Sequence, residues 1–332
     1  MNSFDIFTIG DIATDVYIKI PDNEAHTYAN EDGTFLALPF GAKVPYEEAE
    51  VKEAGGNAGN ASVSFARLGL KSGIISNVGH DMYGRDIIMA LHKNGVDTRY
   101  IFINEGKKTN YNYILRYKVE RTILVHHEHY EHNFPRIHAS DVPKWVYFSS
   151  LGKNSLPFHD DLIDWLAENP EVKLVFQPGT FQLEEGTARL KKLYQQTEIL
   201  LLNRQEAAVL CDTDDKDVHK LLDKLHDLGP KIVVITDGPK GSYASGAEGR
   251  FFMPTFPDPG PPVERTGAGD AFSSAFTAAI IKGRTLQEAL RWGPINSMNV
   301  VQHIGPQDGL LTETQLESYL RKAPDWYHSS NF

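Results

Sequence analysis

Short apolar runs, each closed by glycine, proline or a polar cluster, alternate along most of this chain with stretches in which apolar residues recur every three or four positions. The runs predict buried strands at 6–10, 73–78, 145–149, 174–176, 199–202 and 232–236. The stretches between them predict helices at 57–68, 83–93, 158–167, 183–194, 205–210 and 216–228, with Gly69, Asn94-Gly95 and Gly229-Pro230 as stop signals. A hairpin at 242–252 and helices at 268–282, 286–303 and 313–321 complete the pattern. Strands alternating with helices predict an α/β chain with a mostly parallel sheet covered on both faces. Such sheets take ligands beyond the C-terminal ends of their strands.

Residues 15–50 break the alternation. The segments 16–20 and 34–38 are strand-like, with polar, proline and glycine punctuation and no helical period. A further pair at 110–117 and 121–127 is joined by a polar turn at Lys118-Val119-Glu120. These four strands are expected to form a small β-sheet lid. The organisation is then a core from 1–14, 51–108 and 129–332 and a lid from 15–50 and 109–128.

Composition narrows the partners. The 332 residues are 41% hydrophobic and 23% charged, enough for one large α/β domain with a smaller appendage. The net charge of −11 and the lack of a basic stripe argue against nucleic-acid binding. Cys211 stands alone, which precludes an intrachain disulfide and makes a reducing, cytoplasmic setting the default. Met1-Asn2-Ser3-Phe4-Asp5 has no basic leader region, and no apolar run reaches membrane-spanning length.

The candidate chemistry centres on Thr266-Gly267-Ala268-Gly269-Asp270, which runs into a small, apolar helix. A helix starting there aims its free N–H groups and positive dipole end at one spot. A carboxylate placed in such an anion hole suits removal of a proton while negative charge develops beside it. Phosphoryl transfer to a hydroxyl needs both features.

Other motifs carry two readings each. In Gly55-Gly56-Asn57-Ala58-Gly59-Asn60, the amides can hydrogen-bond vicinal hydroxyls, or Asn57 can cap a helix. Asp11 and Asp15 follow the first strand and can bind hydroxyls or cap a turn; Asp15 is the better ligand because it starts the lid. Asn203 and Glu206 have capping-box spacing and can also hold the hydration shell of Mg²⁺. Thr236-Asp237-Gly238-Pro239-Lys240-Gly241 is an ordinary turn or a backbone that approaches a nucleotide closely. His126, His127, His129 and His132 lack zinc-ligand spacing and suit a polar lid strand whose histidines can touch substrate. There is no P-loop, no dinucleotide fingerprint and no nucleophile elbow, which disfavours P-loop NTPases, standard dehydrogenases and serine hydrolases.

Taken in order, these motifs resemble the ribokinase-like (PfkB) carbohydrate kinase family across nearly the whole chain. They are Gly10 to Asp15, Gly55 to Asn60 with Gly69 and Gly84 downstream, Asn203-x-x-Glu206, Thr236-x-Gly238-x-x-Gly241, and Thr266 to Asp270. Glu120-Arg121-Thr122-Ile123-Leu124 looks like the family's lid turn. The resemblance implies a ribokinase-like three-layer α/β/α domain with a β lid, and ATP-dependent phosphorylation of a hydroxymethyl group on a sugar or nucleoside. Asp270 then corresponds to the base, with Gly267, Ala268 and Gly269 as the anion hole. Asp15, Gly56, Asn57, Asn60 and Arg121 correspond to sugar contacts. Asn203 and Glu206 organise Mg²⁺ through water. Thr236, Gly238, Gly241 and Thr266 line the nucleotide site, with Asn296 near the base.

Three segments depart from the family pattern. Glu264-Arg265 replaces the usual Asp-Thr, which leaves K⁺ activation open and lets Arg265 reach a phosphate. Ser149-Ser150-Leu151-Gly152 stands where ribokinases proper carry a sugar-binding glutamate. Gln177 precedes Pro178 where Asp or Asn is common. Sugars, sugar acids and nucleosides stay open as acceptors, and so does a non-catalytic binding relative. Tyr111, Tyr113 and Tyr117 can stack on a nucleobase or serve core and dimer contacts. Exposed lid-strand edges suggest a homodimer through the lid.

Overall fold

In the computed structural model, residues 4–31, 33–118 and 120–332 are described. Met1-Asn2-Ser3 and Val119, within the expected 118–120 turn, lie outside them. The chain opens with β1 (Ile6–Ile9) and continues into β2 (Ala13–Lys19), β3 (His26–Asn30), β4 (Gly33–Ala37) and β5 (Glu48–Gly55). Next come α1 (Asn57–Arg67), β6 (Ser72–Gly79), α2 (Met82–Lys93) and β7 (Asp97–Asn104), then β8 (Tyr111–Tyr117) and β9 (Glu120–Leu124). Alternation resumes with β10 (Trp145–Phe148), α3 (Leu156–Glu168), β11 (Lys173–Phe176), α4 (Thr180–Arg189), α5 (Lys191–Gln196), β12 (Thr197–Asn203), α6 (Arg204–Leu210), α7 (Val218–Asp227) and β13 (Ile232–Thr236). The hairpin β14 (Ser242–Gly246) and β15 (Gly249–Met253) leads to α8 (Ala268–Ile281), α9 (Leu286–Val300), α10 (Glu313–Arg321) and β16 (Ser330–Asn331).

The main sheet runs in the order β16-β15-β14-β13-β12-β11-β10-β1-β6-β7. It is parallel from β7 to β13 and antiparallel beyond. Alternate side chains point to opposite faces of a strand, so each buried strand feeds two cores. On β10, Trp145 and Tyr147 join the core under α8 and α9, while Val146 and Phe148 join the core under α3, α5 and α7. On β12, Ile199 and Leu201 divide from Leu200 and Leu202 in the same way. The result is the expected three-layer, ribokinase-like α/β/α arrangement.

The small sheet differs from the expectation. Its order is β5-β2-β8-β9, with β2 and β8 parallel. The expected strand at 34–38 is absent from it. That segment forms β4, which pairs with β3 in a separate, largely exposed hairpin held by stacking of Tyr28 on Phe35. Only Leu36 of the hairpin is drawn inward, onto a small cluster of Ile20, Ala25 and Tyr117; the rest of β3 and β4 is largely exposed, and neither strand pairs with the small sheet. The place of 34–38 is taken by β5, Glu-Ala-Glu-Val-Lys-Glu-Ala-Gly, which carries the sheet as far as Gly55 rather than ending at residue 50. Its charges read as loop or helix, yet an edge strand tolerates them because half its side chains face water. β7, at the far edge of the main sheet, escapes the apolar pattern for the same reason. The helix expected at 183–194 is two elements, kinked at Gly186, whose φ is 77°.

Candidate active site

The strand ends and the glycine-rich turns converge on a cleft. Gly267 caps α8 with φ 81°, a left-handed conformation that glycine adopts without strain. A Cβ there would sit 2.3 Å from Cβ of Pro306, while one on Gly269 would meet nothing within 4 Å. One glycine is therefore demanded by packing, and the other leaves open space beside the helix terminus.

Asp270 lies on the first turn of α8 and is buried. Asn57 Nδ2 donates to its Oδ1 at 2.7 Å, Asn60 Nδ2 to its Oδ2 at 2.8 Å, and Gln177 Nε2 to Oδ1 at 3.2 Å. Burial raises its pKa, and the amide donors oppose the rise by favouring the ionised form. Gln177 in turn accepts a hydrogen bond from Tyr147. The two asparagines come from the start of α1, where Gly56, at φ 89°, lies so close to the Asp11 carbonyl that a Cβ would meet it at 2.6 Å.

A cavity of about 550 Å³ opens in front of this carboxylate. Its lining includes Asp15, Gly56, Asn57, Asn60, Asn112, Arg121, Asn203, Glu206, Thr236, Thr266, Gly267, Gly269 and Asp270. Asp15 accepts a hydrogen bond from Asn112 at 2.9 Å. Burial, opposed by that bond and aided by nearby Glu264, pushes its pKa up to about 6. Asp11 lines the same cavity and is pushed by burial to about 7, against the bond from the Gly152 N–H at 2.6 Å.

Arg121 Nε lies 3.5 Å from Glu264 Oε1. Glu264 also accepts from the Thr266 N–H at 2.8 Å and the Thr266 hydroxyl at 2.6 Å. Asn203 and Glu206 form the expected capping box on α6: Asn203 Oδ1 accepts from the N–H groups of Gln205 and Glu206, and Glu206 Oε2 accepts from the Asn203 N–H at 2.8 Å. Burial, then the proximity of Asp270, raises the pKa of Glu206 against that N–H bond.

A second cavity, about 400 Å³, adjoins the first at Thr236, Arg265 and Gly269. Gly238, Pro239, Gly241, Ala268, Phe272, Pro294 and Met298 give it a largely apolar wall. Asn296 does not join them. It is fully buried, donating to the Ala271 carbonyl at 2.9 Å and accepting from the Leu311 N–H at 3.0 Å. Its polarity reads as a ligand in sequence, but its work is to tie α8 to the segment before α10.

Tyr111, Tyr113 and Tyr117 line neither cavity. Tyr111 packs against Tyr83 and Tyr113, and Tyr117 is hydrogen-bonded to the carbonyls of Asp22 and Ala25. The histidines diverge: His127 faces the larger cavity against Phe181, and His132 pairs with Asn77 at 3.4 Å. Among the described residues, no three His, Cys, Asp or Glu side chains are grouped as metal ligands, and no helix is long and apolar enough to cross a membrane. Asn112 is a contact that the sequence did not single out, and Gln177 stood out only as a departure from the family pattern; the signal of both is position, near strand ends that face the cleft.

Fold and cleft together define a small-molecule kinase of the ribokinase-like type. A sequence profile described as pfkB family carbohydrate kinase matches residues 25–313, and the chain belongs to that family of phosphotransferases acting on an alcohol group. It is 27% identical over 289 residues to the 5-dehydro-2-deoxygluconokinase of Halalkalibacterium halodurans, covering 82% of this chain and 86% of that protein. The nucleoside kinase of Methanocaldococcus jannaschii superposes with a TM-score of 0.75 at 19% identity, over 97% of this chain and 100% of that one. Arabidopsis thaliana ribokinase, solved with ribose and ATP, superposes with a TM-score of 0.77 at 19% identity, over 97% and 99%.

Proposed function

We propose that the protein transfers the terminal phosphoryl group of ATP to a hydroxymethyl group of a sugar or sugar-like acceptor, with Asp270 as general base. The observation that carries this reading is a buried carboxylate held by three amides, at a helix terminus beside the junction of two cavities. The acceptor occupies the larger cavity, held by Asp15, Gly56, Asn57, Asn60 and Arg121. The nucleotide occupies the smaller one, along Thr236, Gly238 and Gly241. The phosphates meet Thr266, the N–H groups of Gly267, Ala268 and Gly269, and Arg265, a group of donors suited to developing charge.

Mg²⁺ bound with the nucleotide would neutralise phosphate charge, its hydration shell held by Asn203 and Glu206. The fit is good, because the Glu206 carboxylate lines the larger cavity close to Asp270. K⁺ is left out of this reading, since Glu264 is already engaged by Thr266 and Arg121. A sugar is favoured over a nucleoside because the tyrosines that would stack on a base are turned away from the cleft.

The test is ADP release with a panel of pentoses, hexoses, sugar acids and nucleosides. Turnover of sugars is expected. Binding of nucleotide and sugar, seen as a higher melting midpoint, with no ADP from any acceptor would point to a non-catalytic relative.

The Asp15 geometry predicts a pH effect. An ionised carboxylate accepts hydroxyl donors better than a neutral one. The acceptor KM is therefore expected to fall as the pH rises through about 6 and then to level. Asp15→Asn should raise KM by roughly 10- to 100-fold, the loss of a hydrogen bond to a charged group, and should abolish the step at about 6. A step that persists in the variant, or shifts to about 7, would move the role to Asp11.

We also infer a homodimer through the small sheet. Val51, Val16, Tyr113 and Leu124 stand in register on its outer face, and Val51, Tyr113 and Leu124 are exposed. An open apolar sheet face of this kind marks an interface. Leu124→Lys is expected to elute as a monomer where the unmodified chain elutes as a dimer; a monomeric unmodified chain would dismiss the idea.

A further inference from the structure

We propose that Gln307 is a positioning residue for Asp270: it fixes the side-chain amide of Asn60 so that its NH₂ group, and not its carbonyl, faces the carboxylate. The proposal rests on the reading of Asp270 as the base.

Gln307 lies between α9 and α10, remote in sequence from the glycine-rich turn. Its Nε2 donates to the main-chain carbonyl of Ala54 at 2.7 Å and to Asn60 Oδ1 at 3.2 Å. A main-chain carbonyl accepts and never donates, so the Gln307 atom facing it is nitrogen. The other hydrogen of the same NH₂ then meets Asn60 Oδ1. That leaves Asn60 Nδ2 directed at Asp270 Oδ2, 2.8 Å away. The polarity runs one way, from carbonyl to carboxylate, and removes the two-fold choice an isolated amide has.

The backbone is shaped for this. Ala54 has φ 58°, the left-handed region, uncommon for a residue with a Cβ. The register between β2 and β5 shifts in the same stretch, between Ala13 and Asp15 on the β2 side. The strand is thus irregular where its carbonyl meets Gln307.

A donor locked onto Oδ2 stabilises the ionised carboxylate and cannot accept a hydrogen bond from the O–H of the neutral acid. Burial acts in the opposite direction. The Asn60 donor therefore helps keep the base ready to take a proton. Other ionisable groups surround this chain of bonds. Glu206 on α6 and Tyr147 on β10 interact electrostatically with Asp270. Arg67 on α1 donates to the Gln307 carbonyl at 2.7 Å, and Lys52 on β5 pairs with Asp308 at 2.8 Å. All are retained in the variants below.

The experiment is the pH profile of kcat/KM, with the best acceptor from the panel, for Gln307→Met, Gln307→Glu and Gln307→Lys. Methionine removes the donor at similar volume. It is expected to move the acidic limb up by about one pH unit, a tenfold loss below the limb, with the alkaline plateau kept within a few-fold. Glutamate draws the Asn60 NH₂ toward itself and should move the limb further. Lysine only donates and should hold the limb at or below its original pH. Nucleotide-induced melting shifts check that each variant is folded, and any two of the three decide the matter. A uniform loss of rate with an unmoved limb in the methionine and glutamate variants would reduce Gln307 to packing and overturn the proposal. The base assignment fails separately, on turnover by Asp270→Asn, whichever way Gln307 behaves.

Discussion

Asp270→Asn is expected to lose a factor of about 10²–10⁴ in kcat, the usual worth of a positioned general base, with the acceptor KM changed only a few-fold. The substitution keeps the shape of the side chain and its place on α8, so the anion hole and both cavities persist. What goes is the proton acceptor. The neighbouring donors Asn57, Asn60 and Gln177 would then face an amide of mixed polarity where both oxygens now accept. Stability should change little, because relief of the buried charge is offset by an amide donor left facing the new NH₂ group. A melting midpoint close to that of the unmodified protein, combined with the lost turnover, would separate chemistry from folding. Near-normal turnover by this variant would end the assignment of Asp270 as base.

The second large effect is a contrast between Gly267 and Gly269, which flank Ala268. Gly267→Ala places a Cβ 2.3 Å from Pro306 on a residue held at φ 81°. Left-handed strain and overpacking together cost about 2–5 kcal/mol, and the melting midpoint should fall by about 3–7 °C. Gly269→Ala meets no atom within 4 Å and lies inside a helix, where alanine is the better residue. Its midpoint should hold or rise. Its turnover should nonetheless fall, because the methyl group enters the space beside the helix terminus where the phosphates are placed. Equal melting losses in both variants would mean that the cleft has a different shape from the one described.

The main sheet was legible because a parallel strand buried on both faces reads as an unbroken apolar run, and six such runs stand out. The edges were not. β5 and β7 have only part of their surface buried, so charge and polarity hide them. β4 has the apolar run of a sheet strand, Phe35-Leu36-Ala37, yet only Leu36 is drawn inward, onto Ile20, Ala25 and Tyr117, and β4 pairs with β3 alone. Within the cleft, motif glycines and the residues beside them were readable because backbone conformation constrains them. Asn296 shows the opposite case, a polar residue on a buried helix whose hydrogen bonds are all internal. Gln307 left no trace in the sequence, since its partners, Ala54 and Asn60, are brought to it only by the fold.

The small sheet is assembled from two separate excursions of the chain, one giving β2 and β5 and the other β8 and β9. It is consequently moored to the core by four covalent tethers, not hung from one. Asp15, Asn112 and Arg121 therefore sit on one hydrogen-bonded plate, and any displacement of it would carry all three together. Neither excursion can be excised or transplanted by itself, because β2 and β8 are each other's hydrogen-bonding neighbours and removing one strands the other.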